Sequence, residues 1–407
     1  MRDRVVITGI GSICSLGVGH RTFVDALLAG ATGIAPITAF DTTGCRSHQT
    51  ASLRGFDPAT FIPPMKLRRI DDVGRVALAC ARLAFDDAGW PSRAEGYDDI
   101  GVALGTYTAG LDSTVAYLRG LIKDGPAGVP ALLFSNTVSN APASLCAMEW
   151  GLRGPNVTFN QREASSLAAL AFAVAAVRDQ RAAVMLTGGA DRVDEVFFKA
   201  HDRFRALSPK RAGGAEAARP FDRRRNGFVL GEGGFLLVVE SAASAERRGA
   251  RVYGEILGVG ATASKADVNA WPADPDGLTR AMTDALAQAD CAPADVAAVF
   301  ATADGSPDLD AVEAAAIANV FAHRAVPVVS IKGAVGEMGA AGAAAVAAGV
   351  LTMAVQRLPP TAGWSEPDAV CKVNVTGQSR DVSGAVFLVN SVASGGANYS
   401  VVVKAAV

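Results

Sequence analysis

The order of apolar strands and amphipathic helices is laid down twice along this chain, and that doubling leaves few folds open. The first series starts at Arg4–Gly11, an apolar run closed by Gly, which predicts a buried strand ending in a turn. Arg69–Ala88 has helical periodicity through Val73, Ala77, Ala81, Leu83 and Phe85. Then come a strand at Ile100–Leu104, a helix at Ala141–Trp150 and a short strand at Asn156–Phe159. A long helix, Ser165–Gln180, leads to the strand Ala183–Thr187, which stops at Gly188-Gly189. Gly227–Glu240 carries the apolar strand FLLVVE. From Arg251–Gly260 a second series follows: helix Asp276–Ala289, strand Val296–Ala301, helix Asp310–Phe321, strand Val326–Ser330, helix Gly342–Met353, and strands Gly384–Asn390 and Tyr399–Lys404. Strands alternating with helices predict mostly parallel sheets covered by helices, an α/β architecture. The division falls near residue 250, giving halves 1–250 and 251–407. Asp202–Asn226, polar and rich in Arg, reads as a surface loop.

Composition narrows the function. Half of the 407 residues are hydrophobic and 43 are Gly, which allows a large core with many tight turns. The formal net charge of −2 argues against nucleic acid and against a membrane surface as partner. Ala164–Val177 is the longest apolar stretch; it is rich in Ala, ends at Arg178, and reads as a buried helix. MRDRVVITGIG runs straight into a strand with no signal-peptide pattern. Cys14, Cys45, Cys80, Cys146, Cys291 and Cys371 show no CxxC spacing, so reduced thiols in a cytoplasm are expected. His20, His48, His201 and His323 are scattered, so no His-based metal site is expected, and no cofactor.

Several stretches carry more than pattern: VVITGIGSICSLG at the start, ALACARLAFDDAGW at 77–90, MEWGLRGPNVTF before residue 160, and LTGGADRV at 186–193. They continue with ALSPKR at 206–211, RPFDRRRNGFVLGEGGFLLVVE at 219–240, IKGAVGEMGAAGA at 331–343 and NSVASGGANYSVVV at 390–403. In this order they resemble the β-ketoacyl synthases, the ketosynthase branch of the thiolase-like fold. The resemblance implies a five-layered αβαβα core made of two similar halves, and an obligate dimer. It also implies a catalytic Cys at a T-A-C-[AS]-S turn and two His, from A-H-G-T and K-x-x-x-G-H. Here Arg162-Glu163-Ala164-Ser165-Ser166 puts Glu163 at the Cys position. Ala303-Asp304-Gly305-Ser306 puts Asp304 at the first His. Lys332-Gly333-Ala334-Val335-Gly336-Glu337 keeps the Lys and puts Glu337 at the second.

All three substitutions are carboxylates. A thiolate holds an acyl chain as a thioester, whereas a carboxylate would give a mixed anhydride and is a poor acceptor. An enolate needs donors or cations beside it, and ionised Asp304 and Glu337 would repel it. Lys332 is expected to pair with these acids, and at least one of them to have a raised pKa. No catalytic residue is expected, and Lys332 would compete with any metal there.

The resemblance also assigns surfaces. Lys66, Arg68 and Arg69 stand where relatives dock the acidic acyl carrier protein; a solvated basic turn beside Asp71 and Asp72 is the alternative. Leu111, Thr114 and Leu118 share one helix face at i, i+3 and i+7. In chain-length factors the matching helix closes the partner's acyl tunnel at the dimer interface; ordinary interface packing is the alternative. Gly395-Gly396-Ala397-Asn398 replaces a Gly-Phe-Gly-Gly-type gating turn, with Ala393 or Ser394 near the place of the missing Phe. Phe228 and Glu232 read as structural. The expectation is a non-catalytic ketosynthase-like subunit, similar to a chain-length factor. It would form a heterodimer with a Cys-bearing ketosynthase in type II polyketide or polyene biosynthesis and meet acyl carrier protein directly or through that partner. A stand-alone malonyl-carrier decarboxylase and a homodimeric thiolase-fold binding protein are the alternatives.

Overall fold

Successive side chains of an extended strand point to opposite faces, and the segment GGFLLVVES uses both. Phe235, Leu237 and Val239 enter one apolar core, while Leu236 and Val238 enter another. A strand buried on both faces must have helices above and below it. The structure is a computed structural model, and it describes residues 3–210, 215–322 and 324–407. Arg2 of the N-terminal stretch, Arg211 of ALSPKR and His323 lie outside the described residues.

The first half holds strands β1 (Val5–Cys14), β2 (Ile100–Gly105), β3 (Asn156–Phe159), β4 (Val184–Asp191) and β5 (Gly233–Ser241). The second holds β6 (Gly254–Ala263), β7 (Ala298–Phe300), β8 (Pro327–Val329), β9 (Val386–Val392) and β10 (Ala397–Ala405). Their spatial orders are β3-β2-β4-β5-β1 and β8-β7-β9-β10-β6, the same path walked twice. The halves meet where Val5–Ile7 of β1 pairs antiparallel with Gly254–Ile256 of β6.

The helices include α1 (Asp72–Ala88), α2 (Leu111–Asp124), α3 (Ala141–Trp150), α4 (Ser165–Arg178), α5 (Glu195–Arg203), α6 (Asp276–Gln288), α7 (Pro307–Phe321) and α8 (Ala341–Ala354). Leu78 and Phe85 of α1 and Cys146 and Trp150 of α3 pack on the outer face of the first sheet. Met282 of α6 and Ile317 of α7 do the same for the second. Leu167 and Leu170 of α4 and Val346 and Val350 of α8 share the central core with Phe235 of β5 and Phe387 of β9. Helix, sheet, paired helices, sheet, helix is the five-layered αβαβα arrangement expected of a thiolase-like chain.

Two expectations need correction. The sheets are mixed rather than mostly parallel, because β5 and β10 run against both of their neighbours. Strand–helix alternation does not report the direction of a strand that returns by a hairpin or a long excursion. The Arg-rich segment is not a surface loop throughout: Ser208, Glu216, Phe221 and Asp222 are buried. Asp222 is drawn in because its carboxylate accepts N–H bonds from Arg224, Ser365 and Glu366. All six cysteines are free thiols. Among the described residues no helix is long and apolar enough to cross a membrane.

Candidate functional site

After β3 the chain makes one 3-10 turn, Arg162–Ala164, and enters α4. The turn is pressed on the end of β2 at Gly105, where an added Cβ would lie 2.3 Å from the Ser165 backbone. Only Gly lets the start of α4 come this close. Glu163 is thereby fixed in the interior, 2% exposed. Its carboxylate lies over the β9–β10 hairpin, whose Gly395 (φ 106°) and Gly396 (φ 100°) hold the left-handed backbone needed to turn the chain. Ser394 donates its N–H to Glu163 Oε2 at 3.0 Å and its Oγ–H to Oε1 at 3.0 Å. Ser391 Oγ donates to the Glu163 carbonyl at 3.2 Å. Burial pushes the Glu163 carboxyl above its ordinary range; backbone N–H groups and Ser394 pull the other way.

Lys332 begins the short helix Lys332–Val335, and Glu337 follows its end, both buried. Lys332 Nζ donates to Glu337 Oε2 at 2.5 Å and to Thr302 Oγ1 at 3.1 Å. The second Glu337 oxygen accepts from Met338 N at 3.0 Å. Asp304, also buried, accepts from Ser306 N at 2.7 Å, and its other oxygen has no hydrogen-bond partner among the described residues. Lys332 therefore does not pair with all three acids as expected. Its ion pair is with Glu337, because Ser394 occupies the Glu163 carboxylate from the hairpin side.

Two further acids belong to this interior, and pattern reasoning missed both. Asp310 and Glu313 sit an i, i+3 step apart on the buried face of α7. Asp310 accepts from Asp304 N at 3.1 Å and Phe221 N at 2.7 Å. Glu313 accepts from Thr302 N, Ala303 N and Asn390 Nδ2 at 2.7–3.0 Å. Charged residues recurring at one helical spacing in an apolar segment were the available signal. Burial drives Glu337 well above the usual carboxylate range against the pull of Lys332 and with the push of Asp304. Burial also raises Glu313, and raises Asp310 with Asp304 adding to it. Burial opposes the charge on Lys332, but Glu337 and Asp304 outweigh it and hold its pKa high. Burial thus biases Glu163, Asp310, Glu313 and Glu337 toward the protonated form. The cluster has neither thiol nor imidazole at positions 163, 304 and 337, and its one ammonium is already matched.

On the solvent side of Glu163 lies Arg162, another residue that no motif singled out. It contacts Tyr107, Ser394 and Asn269. Below, Asp191 at the end of β4 ties the loop carrying Tyr107 to the start of α8. It accepts from Tyr107 N at 2.6 Å, Thr108 N at 3.0 Å and Ala340 N at 3.0 Å, and burial lifts its pKa to about 6.

The expected surface residues belong to other elements. Lys66, in the short helix Pro64–Leu67, pairs with Glu149 at 2.6 Å, and Arg68 and Arg69 are exposed beyond it. Lys66 and Arg69 rim a cleft of about 530 Å³ with Ile70, Leu78 and Met148 on its walls. On α2, Leu111 packs partly buried against the apolar cluster that holds Phe197 and Phe228, Thr114 Oγ1 reaches Thr137 O at 3.4 Å, and Leu118 is exposed. Phe228 is buried, and buried Glu232 accepts from Leu53 N and Val193 N at 3.1 Å. Among the described residues no group of His, Cys, Asp and Glu has a metal-holding arrangement.

Residues 2–245 match the family described as beta-ketoacyl synthase, N-terminal domain, and residues 253–365 match its C-terminal domain. This chain belongs to the β-ketoacyl synthase family. A 3-oxoacyl-[acyl-carrier-protein] synthase 2 from Coxiella burnetii is 30% identical over 408 residues, covering 99% of each chain. The tetracenomycin polyketide synthase ketoacyl synthase alpha subunit from Streptomyces glaucescens is 34% identical over 387 residues, 91% of this chain and 89% of its own. Among solved structures, the ishigamide ketosynthase/chain length factor superposes with a TM-score of 0.93 at 30% identity, with 100% of both chains covered. The chain thus has a thiolase-like ketosynthase fold and is similar to the ketosynthase and chain-length-factor components of type II polyketide synthases.

Proposed function

We propose that this chain is a non-catalytic ketosynthase-like subunit, a chain-length factor that pairs with a Cys-bearing ketosynthase in type II polyketide or polyene biosynthesis. The observation that carries the reading is the engagement of Glu163. Its carboxylate is buried and held by the N–H and Oγ–H of Ser394, so the nucleophile position is filled by a structural contact. The Lys332–Glu337 pair supports it, since the ammonium that could face a developing enolate is neutralised at 2.5 Å. In this reading the partner condenses malonyl-carrier units by decarboxylation, and this chain stabilises the heterodimer. Leu111, Thr114 and Leu118 of α2 shape the acyl tunnel at the interface. Lys66, Arg68 and Arg69, with the neighbouring cleft, take the acidic carrier protein where the partner does not.

The test is purification of the tagged protein from its host, with the mass of the complex and the identity of its members determined. A one-to-one complex with a ketosynthase that keeps Cys, His and His is expected. In that complex Glu163→Gln should change product formation by less than about threefold, while loss of the partner's Cys abolishes it. A lone homodimer whose thioester turnover disappears with Glu163, Asp304 or Glu337 would overturn the reading.

A further inference from the structure

Arg162 has φ 53°, a left-handed conformation that a residue with a Cβ rarely adopts. Such backbone persists only where its surroundings hold it. Here the guanidinium is anchored on all sides. Its Nε–H donates to Tyr107 Oη at 3.1 Å, one terminal nitrogen donates to the Ser394 carbonyl at 3.1 Å, and the other donates to Asn269 Oδ1. It also lies 5.6 Å from the centre of the Tyr107 ring. The direction of the network is consistent. His201 Nδ1 is 2.9 Å from the Phe197 carbonyl and so carries the proton, which leaves Nε2 to accept from Tyr107 at 3.3 Å. The phenol oxygen is then free to accept from Arg162.

The anchors come from separate parts of the chain. Tyr107 follows β2, Asn269 lies between β6 and α6, and Ser394 is in the β9–β10 hairpin. They converge on Arg162, which is partly exposed, directly outside Glu163, which is not. The larger clefts, of about 530, 540 and 490 Å³, are lined by other residues. We propose that Arg162 is a plug: its side chain, clamped by Tyr107, Asn269 and Ser394, bars a linear thioester arm from residue 163. The plug deepens the non-catalytic reading and rests on it only for its purpose, which is to leave acyl traffic to the partner.

The test needs neither partner nor product, so its failure is separate from failure of that reading. In the full chain, Glu163→Cys supplies a reporter thiol, and the probe is a pantetheine-linked chloroacetamide. The thiolate forms the C–S bond and chloride leaves, and modification at residue 163 is read by peptide mass. Labelling should accelerate about tenfold or more when Arg162→Ala is added, although removing that cation makes the thiol less acidic and would by itself slow the reaction. Asn269→Gly with Glu163→Cys is the second opener; Asn269 is exposed and has φ 64°, which Gly adopts freely, so its loss spares the fold. A gain with either opener supports the plug. Labelling of Glu163→Cys as fast as both opened proteins overturns it.

Discussion

Lys332 is 2.5 Å from Glu337 and buried, which makes its removal costly in a specific way. Lys332→Met would leave Glu337 and Asp304 inside the protein without a counter-charge. Loss of one member of a buried pair typically costs about 3–5 kcal/mol. Denaturant unfolding at neutral pH should show that loss. The loss should shrink at pH 4–5, because Glu337 is held above its ordinary range and its protonation removes the uncompensated charge. Lys332→Met with Glu337→Leu should recover much of it, since the carboxylate paired with Lys332 is then removed with it. The identity of this cluster was legible in the sequence, where motif spacing brought Glu163, Asp304, Lys332 and Glu337 forward. Its wiring was not. Ser394, which binds Glu163, is 231 positions away, and nothing local marks a serine in a Gly-rich hairpin as a carboxylate ligand.

At the scale of the element, the start of α1 shows why helix boundaries are harder to read than helices. Periodicity carried the helix back to Arg69, but Asp71 ends it by accepting from Gly74 N at 2.8 Å as the N-cap. The other Asp71 oxygen is buried without a hydrogen-bond partner among the described residues. Burial, and then Asp112 opposite, raise its pKa from 3.8 to about 6. The folded state therefore holds this proton more tightly than the unfolded chain. The stability this brings is complete below pH 3.8 and is lost as pH rises through about 6. Asn at position 71 keeps an oxygen for the cap and has no charge to bury. Asp71→Asn should gain about 1–3 kcal/mol at pH 7.5 and nothing at pH 4 in urea unfolding. Strand direction was illegible for a different reason. Burial gives β5 and β10 the same apolar runs as the parallel strands β2 and β7, and only Gly395-Gly396 hinted at a hairpin return.

The doubled architecture was the most legible feature because it is written in the order of elements, which no single contact can disguise. What lies outside the chain is written in its surface. Apolar side chains stay in solvent along α2, the segment after it and α3: Leu118, Ile122, Leu132, Phe134 and Met148. In the first half, β3 pairs with β2 alone and leaves a free sheet edge. A stable monomer seldom leaves an apolar patch and an open edge together. A partner subunit covering both is the expected remedy, and Leu118 would then face it, as the tunnel-shaping role proposed for α2 requires. Ile122→Asp with Phe134→Asp tests this directly. Both side chains are exposed in the isolated chain, so the fold should lose no more than about 0.5 kcal/mol for each. Burying two carboxylates against an apolar partner should weaken association by about 2–4 kcal/mol each. With the ketosynthase partner present, analytical ultracentrifugation should then find the 41.6 kDa chain alone where the unaltered chain sediments with its partner, and circular dichroism should be unchanged. An unchanged dimer would place the interface elsewhere, and would leave Leu118 facing water rather than an acyl tunnel.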